Sequence, residues 1–253
     1  MLSKQNHPRS SRLETFKSLL IPSRMYIRYL LRKHLKHGDK ELHLLVFLVD
    51  PTKNAIDIGA NKGVYTEALA RLVPTVHAFE PYPKIYDILS SGSRANTSTY
   101  RVALSNASET TELLIPFNAK RRTYSNQGAS LSRIKVSGEH AAVNVTSRTL
   151  DSYQFKNIGF IKIDVEGHEL AVLQGAQETL LRNKPVLMIE LEERHTGLHI
   201  QALIAQVEKY GYSGYFLRNH QLTKCDRLDS SAEHRDAVGT SFYVFNFIFF
   251  PIK

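Results

Sequence analysis

Short apolar runs alternate with amphipathic stretches along the chain from residue 55 onward. The runs are bounded by turn residues, which is typical of strands that are buried on both faces of a sheet. Strands that alternate with helices predict a parallel sheet with right-handed crossovers. The predicted strands cover residues 55–58, 75–79, 100–104, 158–165, 185–191, 212–217 and 240–249, with one of the last two antiparallel to the rest. The predicted helices between them cover residues 64–72, 82–94, 168–181 and 198–210.

This alternation stops between residues 110 and 149. Residues 112–115 and 142–148 predict two further strands, and the polar segment that joins them is longer than an ordinary connection. We interpret the segment, at about residues 117–140, as a lid insertion over a substrate.

Positive charge is concentrated at the N-terminus. Residues 1–40 hold ten lysines and arginines and two acidic residues, so they carry eight of the nine net positive charges. We predict that residues 1–35 form a basic arm, partly disordered or helical, before a domain at residues 36–253. Residues 1–40 would contact a membrane surface or another polyanion peripherally. The nearly neutral remainder of the chain leads us to expect no nucleic-acid partner.

Other features of the composition narrow the class of protein. Cys225 is the single cysteine, which excludes an intrachain disulfide and a cysteine-based metal cluster. No apolar run is long enough to span a membrane, and the run at residues 19–21 is too short for a signal-peptide core. We therefore expect a cytoplasmic protein, with membrane contact limited to the basic arm.

A cofactor motif lies in the first predicted strand and turn. Residues 54–63 read Asn-Ala-Ile-Asp-Ile-Gly-Ala-Asn-Lys-Gly, and residues 77–81 read His-Ala-Phe-Glu-Pro. Gly59 and Gly63 would let the backbone turn tightly against a ligand, and Glu80 would accept hydrogen bonds from both hydroxyls of a ribose. The spacing Asp-x-Gly-x-x-x-Gly differs from the Gly-x-Gly-x-x-Gly of dinucleotide enzymes, which favours S-adenosylmethionine over NAD.

A second motif, at residues 161–169, reads Ile-Lys-Ile-Asp-Val-Glu-Gly-His-Glu. Period-two alternation would place Asp164 and Glu166 on one face at the end of a central strand. Two carboxylates there would stabilise a sulfonium and accept a proton, and His168 is a further candidate base. A divalent metal held by Asp164 and Glu190 would help to deprotonate a hydroxyl, although the sequence contains no compact metal motif.

Together with residues 38–42, 103–105 and 246–249, these motifs resemble the FkbM family of S-adenosylmethionine-dependent methyltransferases. The resemblance extends from about residue 36 to the C-terminus. It implies a class I methyltransferase fold, which is a Rossmann-like α/β fold with a seven-stranded, mostly parallel sheet, flanking helices and the last strand inserted antiparallel. It also implies O-methylation, often of sugar hydroxyls in glycans or secondary metabolites.

The motifs and the resemblance together assign the site residues and leave two alternative functions open. The expected cofactor-binding residues are Asp57, Gly59, Ala60, Asn61, Gly63, Tyr65, Glu80 and Ala103. The expected catalytic residues are Asp164, Glu166 and His168, and the expected substrate contacts are Asn126 and Ser130 in the lid with Glu190 and His195. The alternatives are an RNA methyltransferase, which the near-neutral core disfavours, and a non-catalytic cofactor-binding scaffold that acts through its basic arm.

Overall fold

A computed structural model describes residues 22–118, 123–124, 128–136 and 138–252. In these ranges the strands are β1 Asn54–Ile58, β2 Val76–Phe79, β3 Thr97–Tyr100, β4 Ala103–Leu104, β5 Glu109–Asn118, β6 Thr123–Tyr124, β7 His140–Arg148, β8 Ile158–Ile163, β9 Val186–Glu190, β10 Tyr212–Arg218, β11 Gln221–Lys224 and β12 Asn246–Pro251. The α-helices are α1 Ser23–His37, α2 Leu45–Leu48, α3 Val64–Leu69, α4 Pro83–Gly92, α5 Glu169–Gln174, α6 Gln177–Asn183, α7 Glu193–Thr196 and α8 Ile200–Glu208. Short 3₁₀ turns lie at Lys40–Leu44, Asp151–Tyr153 and Cys225–Arg227, and a π-helical turn lies at Ser230–Arg235.

The central sheet has the strand order β11-β10-β12-β9-β8-β1-β2-β3. The pairs that join β9, β8, β1, β2 and β3 are all parallel, and β12 is antiparallel to both β9 and β10. The mostly parallel α/β fold with a late antiparallel insertion is therefore confirmed. An eighth strand, β11, extends the sheet because it forms a hairpin with β10 at the edge.

Successive residues of the central strands pack into two different apolar clusters. Ala55 and Phe160 belong to one cluster, whereas Ile56 and Ile161 belong to the other. Because side chains alternate across a strand, these clusters lie on opposite faces of the sheet. The near-continuous apolar runs in the sequence thus reflect burial on both faces.

A smaller sheet, with the order β4-β7-β5-β6, is formed by the insertion between β3 and β8. Its long strands β5 and β7 pair antiparallel, and Leu113 and Val145 pack against Ile85 of α4. The strand predicted at residues 100–104 is two strands, because the chain leaves the central sheet after Tyr100 and joins the small sheet at Ala103.

Two other predicted elements differ from the structure. The helix predicted at residues 168–181 is divided into α5 and α6 at Gly175, where a Cβ would lie 2.0 Å from the carbonyl oxygen of Ser105. The strand predicted at residues 240–249 begins only at Asn246. The segment before it turns after Asp229, whose side chain accepts hydrogen bonds from the amides of Ser231 and Ala232.

Helix α1 crosses the predicted boundary between the basic arm and the domain. Pro22 precedes its first turn, and Ile27 and Leu31 are buried against the rest of the fold. The contact with α4 is close, because a Cβ on Gly92 would lie 2.4 Å from Ile27 Cδ1. Residues 23–37 therefore share the core, while residues 1–21 lie outside the described ranges. Among the described helices, none combines the length and the apolar character that crossing a bilayer requires.

Candidate functional site

A cleft opens at the carboxyl ends of β1, β2 and β8, beneath the small sheet. Its empty space, counted to where it opens to solvent, is about 750 Å³. Its lining residues come from the ends of β1, β2 and β8, from the start of the small sheet and from the insertion: Ile58, Gly59, Asn61, residues 79–82, Ile85, residues 102–104, Leu113, residues 128–131, residues 164–166 and His168. The cleft therefore lies at the edge of a parallel sheet where ligands of α/β proteins bind.

The turn after β1 approaches the loop after β8 very closely. Gly59 has φ 78°, and a Cβ at this position would lie 1.8 Å from the carbonyl oxygen of Asp164. Only glycine fits this contact without a backbone shift. Asn61, also at positive φ (49°), lines the cleft, as the sequence predicts for a residue beside the ligand.

Glu80 follows the last residue of β2 and places a buried carboxylate on the wall of the cleft. Its Oε2 accepts a hydrogen bond of 2.9 Å from the amide of Asn61, and its Oε1 accepts one of 2.8 Å from the amide of Tyr82. Burial raises the pKa of Glu80 to about 7, and the negative charges of Asp57 and Asp164 act in the same direction. The remaining lone pairs of this carboxylate match the two hydroxyls of a ribose.

The far part of the cleft is apolar. Ile85, Val102, Ala103 and Leu113 line it, so Ala103, an expected cofactor contact, lies on the wall of the cleft. An apolar slot next to a buried carboxylate is the combination that a nucleoside needs.

Four of the predicted cofactor contacts do not line the cleft. Asp57 is buried behind its wall, where Oδ2 accepts a hydrogen bond of 2.5 Å from Thr66 Oγ1. Tyr65 packs in the core and donates to Asp39. Ala60 and Gly63 shape the turn through backbone hydrogen bonds and the start of α3. These four residues position the loop and do not contribute to the wall of the cleft.

The prediction that strand alternation aligns Asp164 and Glu166 is wrong. Strand β8 ends at Ile163, and Glu166 has a positive φ of 56°. The chain therefore turns, and this turn rather than the pleat brings both carboxylates and His168 to the cleft. Ser130 also lines the cleft, and its hydroxyl fixes the turn by donating a 2.6 Å hydrogen bond to the carbonyl of Glu166.

A buried lysine of β8 contacts the acidic turn that follows this strand. Lys162 Nζ lies 2.8 Å from Asp164 Oδ2 and 4.5 Å from the centre of the Tyr65 ring. Burial favours the neutral amine, but the carboxylates of Asp164, Asp57 and Glu190 raise the pKa of Lys162 above its ordinary value. Sequence reasoning missed this residue, although a charged side chain within an apolar strand is a signal, since it requires a partner.

His168 faces the cleft as a neutral imidazole. Burial lowers its pKa, and its Nε2 lies 2.9 Å from Ser105 Oγ. Glu169, which follows it, is turned inward and accepts hydrogen bonds from the amides of Gly167 and Val165. Glu169 therefore stabilises the turn, while His168 lines the cleft.

Glu190 and His195, predicted to contact the substrate, lie beside the cleft rather than on its wall. His195 Nδ1 lies 3.5 Å from Glu166 Oε2, and burial lowers the pKa of His195 to about 4. Lys135 Nζ lies 2.7 Å from the same Glu166 oxygen and also contacts His195 Nε2. No sequence signal pointed to Lys135. The remaining predicted substrate contact, Asn126, lies outside the described residues.

The cleft, the glycine turn and the buried acid define an α/β protein that binds a nucleoside-containing cofactor. The sequence profile of the methyltransferase FkbM domain matches residues 57–213, more than half of the chain. The protein therefore belongs to the FkbM family and is an S-adenosylmethionine-dependent methyltransferase. This confirms the family, the enzyme class and the cofactor that the motifs predict.

Solved structures of methyltransferases share the fold. Methyltransferase FkbM from Methylobacillus flagellatus KT superposes with a TM-score of 0.50 at 15% identity, covering 94% of this chain and 58% of that one. This chain thus spans less than two thirds of that protein. A TehB-like S-adenosylmethionine-dependent methyltransferase from Corynebacterium glutamicum gives a TM-score of 0.48 at 9% identity, covering 90% of this chain and 97% of that one. No curated protein sequence matches the chain.

The residues present fit this cofactor. Glu80 offers a buried carboxylate for the ribose, and the apolar slot beside Ala103 suits the adenine. Gly59 lies on the wall of the cleft together with Asp164 and Glu166, where the methionine end would bind.

Proposed function

We propose that this enzyme transfers a methyl group to a hydroxyl oxygen of a sugar or glycan. The observation that carries the proposal is the convergence of Asp164, Glu166 and His168 on the cleft at the end of β8. When bound, S-adenosylmethionine supplies a methyl group already activated on a sulfonium, so the protein has mainly to align the acceptor and receive its proton.

The three side chains at the end of β8 divide these tasks. Asp164 is held beside the ammonium of Lys162 at 2.8 Å and contributes negative charge near the sulfonium. His168 is neutral at ordinary pH because burial lowers its pKa, so its imidazole is able to accept the proton of the acceptor hydroxyl. Glu166 faces the acceptor from the turn that Ser130 fixes.

A second cleft near the same edge of the sheet supports a sugar acceptor. Its lining combines charged and aromatic side chains, including Asp39, Arg218 and Tyr243. Two contacts link it to the residues behind the first cleft. Asp39 accepts a hydrogen bond from Tyr65, whose ring lies 4.5 Å from Lys162 Nζ, and Tyr243 donates one to Glu192, whose Oε1 lies 3.5 Å from His195 Nε2. Carbohydrate binding requires polar groups that bind the hydroxyls and aromatic rings that pack on the apolar face of the sugar, and this cleft offers both.

The test is transfer of a radiolabelled methyl group from S-adenosylmethionine to a panel of glycosides and glycans, with RNA as the competing acceptor. We expect label in an alkali-stable methyl ether on a sugar. Label in RNA would instead support the RNA methyltransferase alternative. Cofactor binding without transfer to any acceptor in the panel would favour the non-catalytic scaffold.

The affinity for S-adenosylhomocysteine is expected to rise with pH through about 7. Ribose hydroxyls donate to the ionised form of Glu80, and burial raises the pKa of Glu80 to about 7, so protonation at lower pH competes with binding. Isothermal titration should show affinity lower at pH 6 than at pH 8 by about tenfold. Glu80→Gln should bind weakly and lose this dependence; an unchanged pH profile in that variant would remove Glu80 from the ribose site.

We also propose that the exposed face of α1 contacts an anionic membrane surface. Arg24, Arg32 and Lys33 are exposed on this helix. Between them, Met25 and Tyr29 are 60% and 56% exposed. Basic side chains interleaved with exposed apolar ones are typical of helices that lie at a lipid surface.

Sedimentation with vesicles tests this contact. The protein should bind vesicles that contain phosphatidylserine and should not bind pure phosphatidylcholine, and added salt should weaken binding. The double variant Arg32→Glu, Lys33→Glu should bind about tenfold more weakly or worse. The matched control reverses two exposed lysines elsewhere, Lys156→Glu and Lys209→Glu. An equal loss in the control would show that vesicle binding depends on net charge and not on the face of α1. Binding to RNA but not to vesicles would contradict the proposal.

A further inference from the structure

Three metal-ligating side chains converge beside the cofactor cleft. Glu166, Glu190 and His195 each bring one ligand atom to within 4.8 Å of the other two. They come from three separate elements: the turn after β8, the last residue of β9 and the short helix α7. Two carboxylates and an imidazole are ligands that divalent cations such as Mn²⁺ accept.

The backbone holds these elements against each other. Gly167 has φ 95°, and a Cβ there would lie 2.6 Å from the carbonyl oxygen of His195. The hydroxyl of Ser130 donates a 2.6 Å hydrogen bond to the carbonyl of Glu166, and Ser132 Oγ lies 3.5 Å from the carbonyl oxygen of His195. The positions of Glu166 and His195 are therefore preorganised by close packing of the loops that carry them.

A positive charge already lies beside two of the three ligands. Lys135 Nζ lies 2.7 Å from Glu166 Oε2 and contacts His195 Nε2, so both groups stabilise the same ammonium. Lys135 and Glu166 keep 19% and 26% of their side-chain surface exposed. A flexible lysine with access to solvent is able to swing away, which would leave its place to a cation from solution.

The surrounding charges favour a cation over an empty site. Asp164 is paired with Lys162, and Glu192 is paired with Arg194. Within the described ranges, the carboxylate of Glu190 forms neither a hydrogen bond nor an ion pair, and its neighbours include the like charges of Asp164 and Glu166. Once Lys135 moves away, the carboxyl groups of Glu166 and Glu190 lie on either side of His195, and neither forms an ion pair with Lys162, the buried ammonium that Asp164 holds.

We propose that Glu166, Glu190 and His195 bind one divalent cation of the Mn²⁺ or Mg²⁺ class, and that Lys135 competes for its place. The sequence suggested Asp164 with Glu190 as the metal-binding pair, but Asp164 is occupied by its contact with Lys162. Binding of the cation does not depend on the proposed function. Its role does rest on that function: it would hold the acceptor hydroxyl beside the cleft and lower its pKa.

The test is titration of the full-length protein with Mn²⁺ alone, with free Mn²⁺ followed by electron paramagnetic resonance. We expect one Mn²⁺ per chain, displaced by excess Mg²⁺. Glu190→Gln and His195→Ala should each weaken binding by about tenfold or more, because each removes one ligand. Lys135→Ala should tighten it by several-fold, because the competing ammonium is gone, whereas a lysine that merely supports the loop would give no tightening.

Glu112→Gln is the matched control, since Glu112 is an exposed carboxylate paired with Arg133, and it should leave Mn²⁺ binding unchanged. Titration with S-adenosylhomocysteine checks that every variant is folded. The proposal is overturned if neither the natural protein nor Lys135→Ala binds Mn²⁺ while both bind S-adenosylhomocysteine. Mn²⁺ affinity is predicted to be highest in Lys135→Ala and lowest in the two ligand variants. If this order is found but no sugar is methylated, the metal site stands and the proposed function fails.

Discussion

Asp164→Asn is expected to lower turnover by about a thousandfold while the protein still binds S-adenosylhomocysteine. The substitution keeps the shape of the side chain and removes its negative charge from the wall of the cleft. Asp164 lies at the end of β8 with its Oδ2 2.8 Å from Lys162 Nζ, so its carboxylate is held in one place as charge shifts during methyl transfer. The loss should therefore fall on the chemical step rather than on cofactor affinity.

Single-turnover methyl transfer to the best acceptor separates these two effects from each other. Asp87→Asn, which changes an exposed aspartate on α4, is the matched control and should retain full turnover. Some loss of stability is expected in Asp164→Asn, because buried Lys162 keeps only the more distant charges of Asp57 and Glu190. Turnover within tenfold of the natural enzyme would end the catalytic assignment of Asp164.

Gly59→Ala is expected to destabilise the fold by about 4 kcal/mol and to abolish cofactor binding. Two penalties combine at this position. A Cβ at φ 78° is unfavourable by itself, by about 1–2 kcal/mol, and it would also lie 1.8 Å from the carbonyl oxygen of Asp164. Because neither backbone is able to move without opening the cleft, the strain falls directly on the cofactor site.

Gly239→Ala isolates the first penalty, because Gly239 has φ 82° and no heavy atom within 4 Å of the added Cβ. It should cost only the conformational penalty of a left-handed residue, about 1–2 kcal/mol. Urea denaturation of both variants measures the two free energies of unfolding. If both variants lose the same stability and Gly59→Ala still binds S-adenosylhomocysteine, the contact with Asp164 is not a constraint.

The local motifs were predictable because their chemistry is local. The turn at Gly59, the acid at Glu80 and the alternation of strands and helices all depend on residues that are close in sequence. Hydrophobic period and turn residues specify such elements directly. The same reasoning placed Asp164, Glu166 and His168 together, and all three line the cleft, although the turn after β8 rather than strand alternation brings them there.

Other features depend on how elements pack. Asp57 belongs to the cofactor motif, but its side chain is turned toward Thr66. Tyr65 is likewise turned toward Asp39. Helix α1 was predicted as part of a separate arm, yet its buried face packs on α4. Each outcome is decided by the neighbour that an element meets, which a pattern within the element does not specify.

The sequence by itself determined the class of fold, the cofactor loop and the acidic end of β8, because each is specified by the order and spacing of neighbouring residues. Only the tertiary structure decided that Lys162 supports Asp164 from within the sheet and that Lys135 meets His195, 60 positions away. Such contacts depend on where each side chain points and on which segments the fold brings together. Their energy depends on distance and burial in the folded protein, and neither quantity exists until the sheet and the loops have packed together.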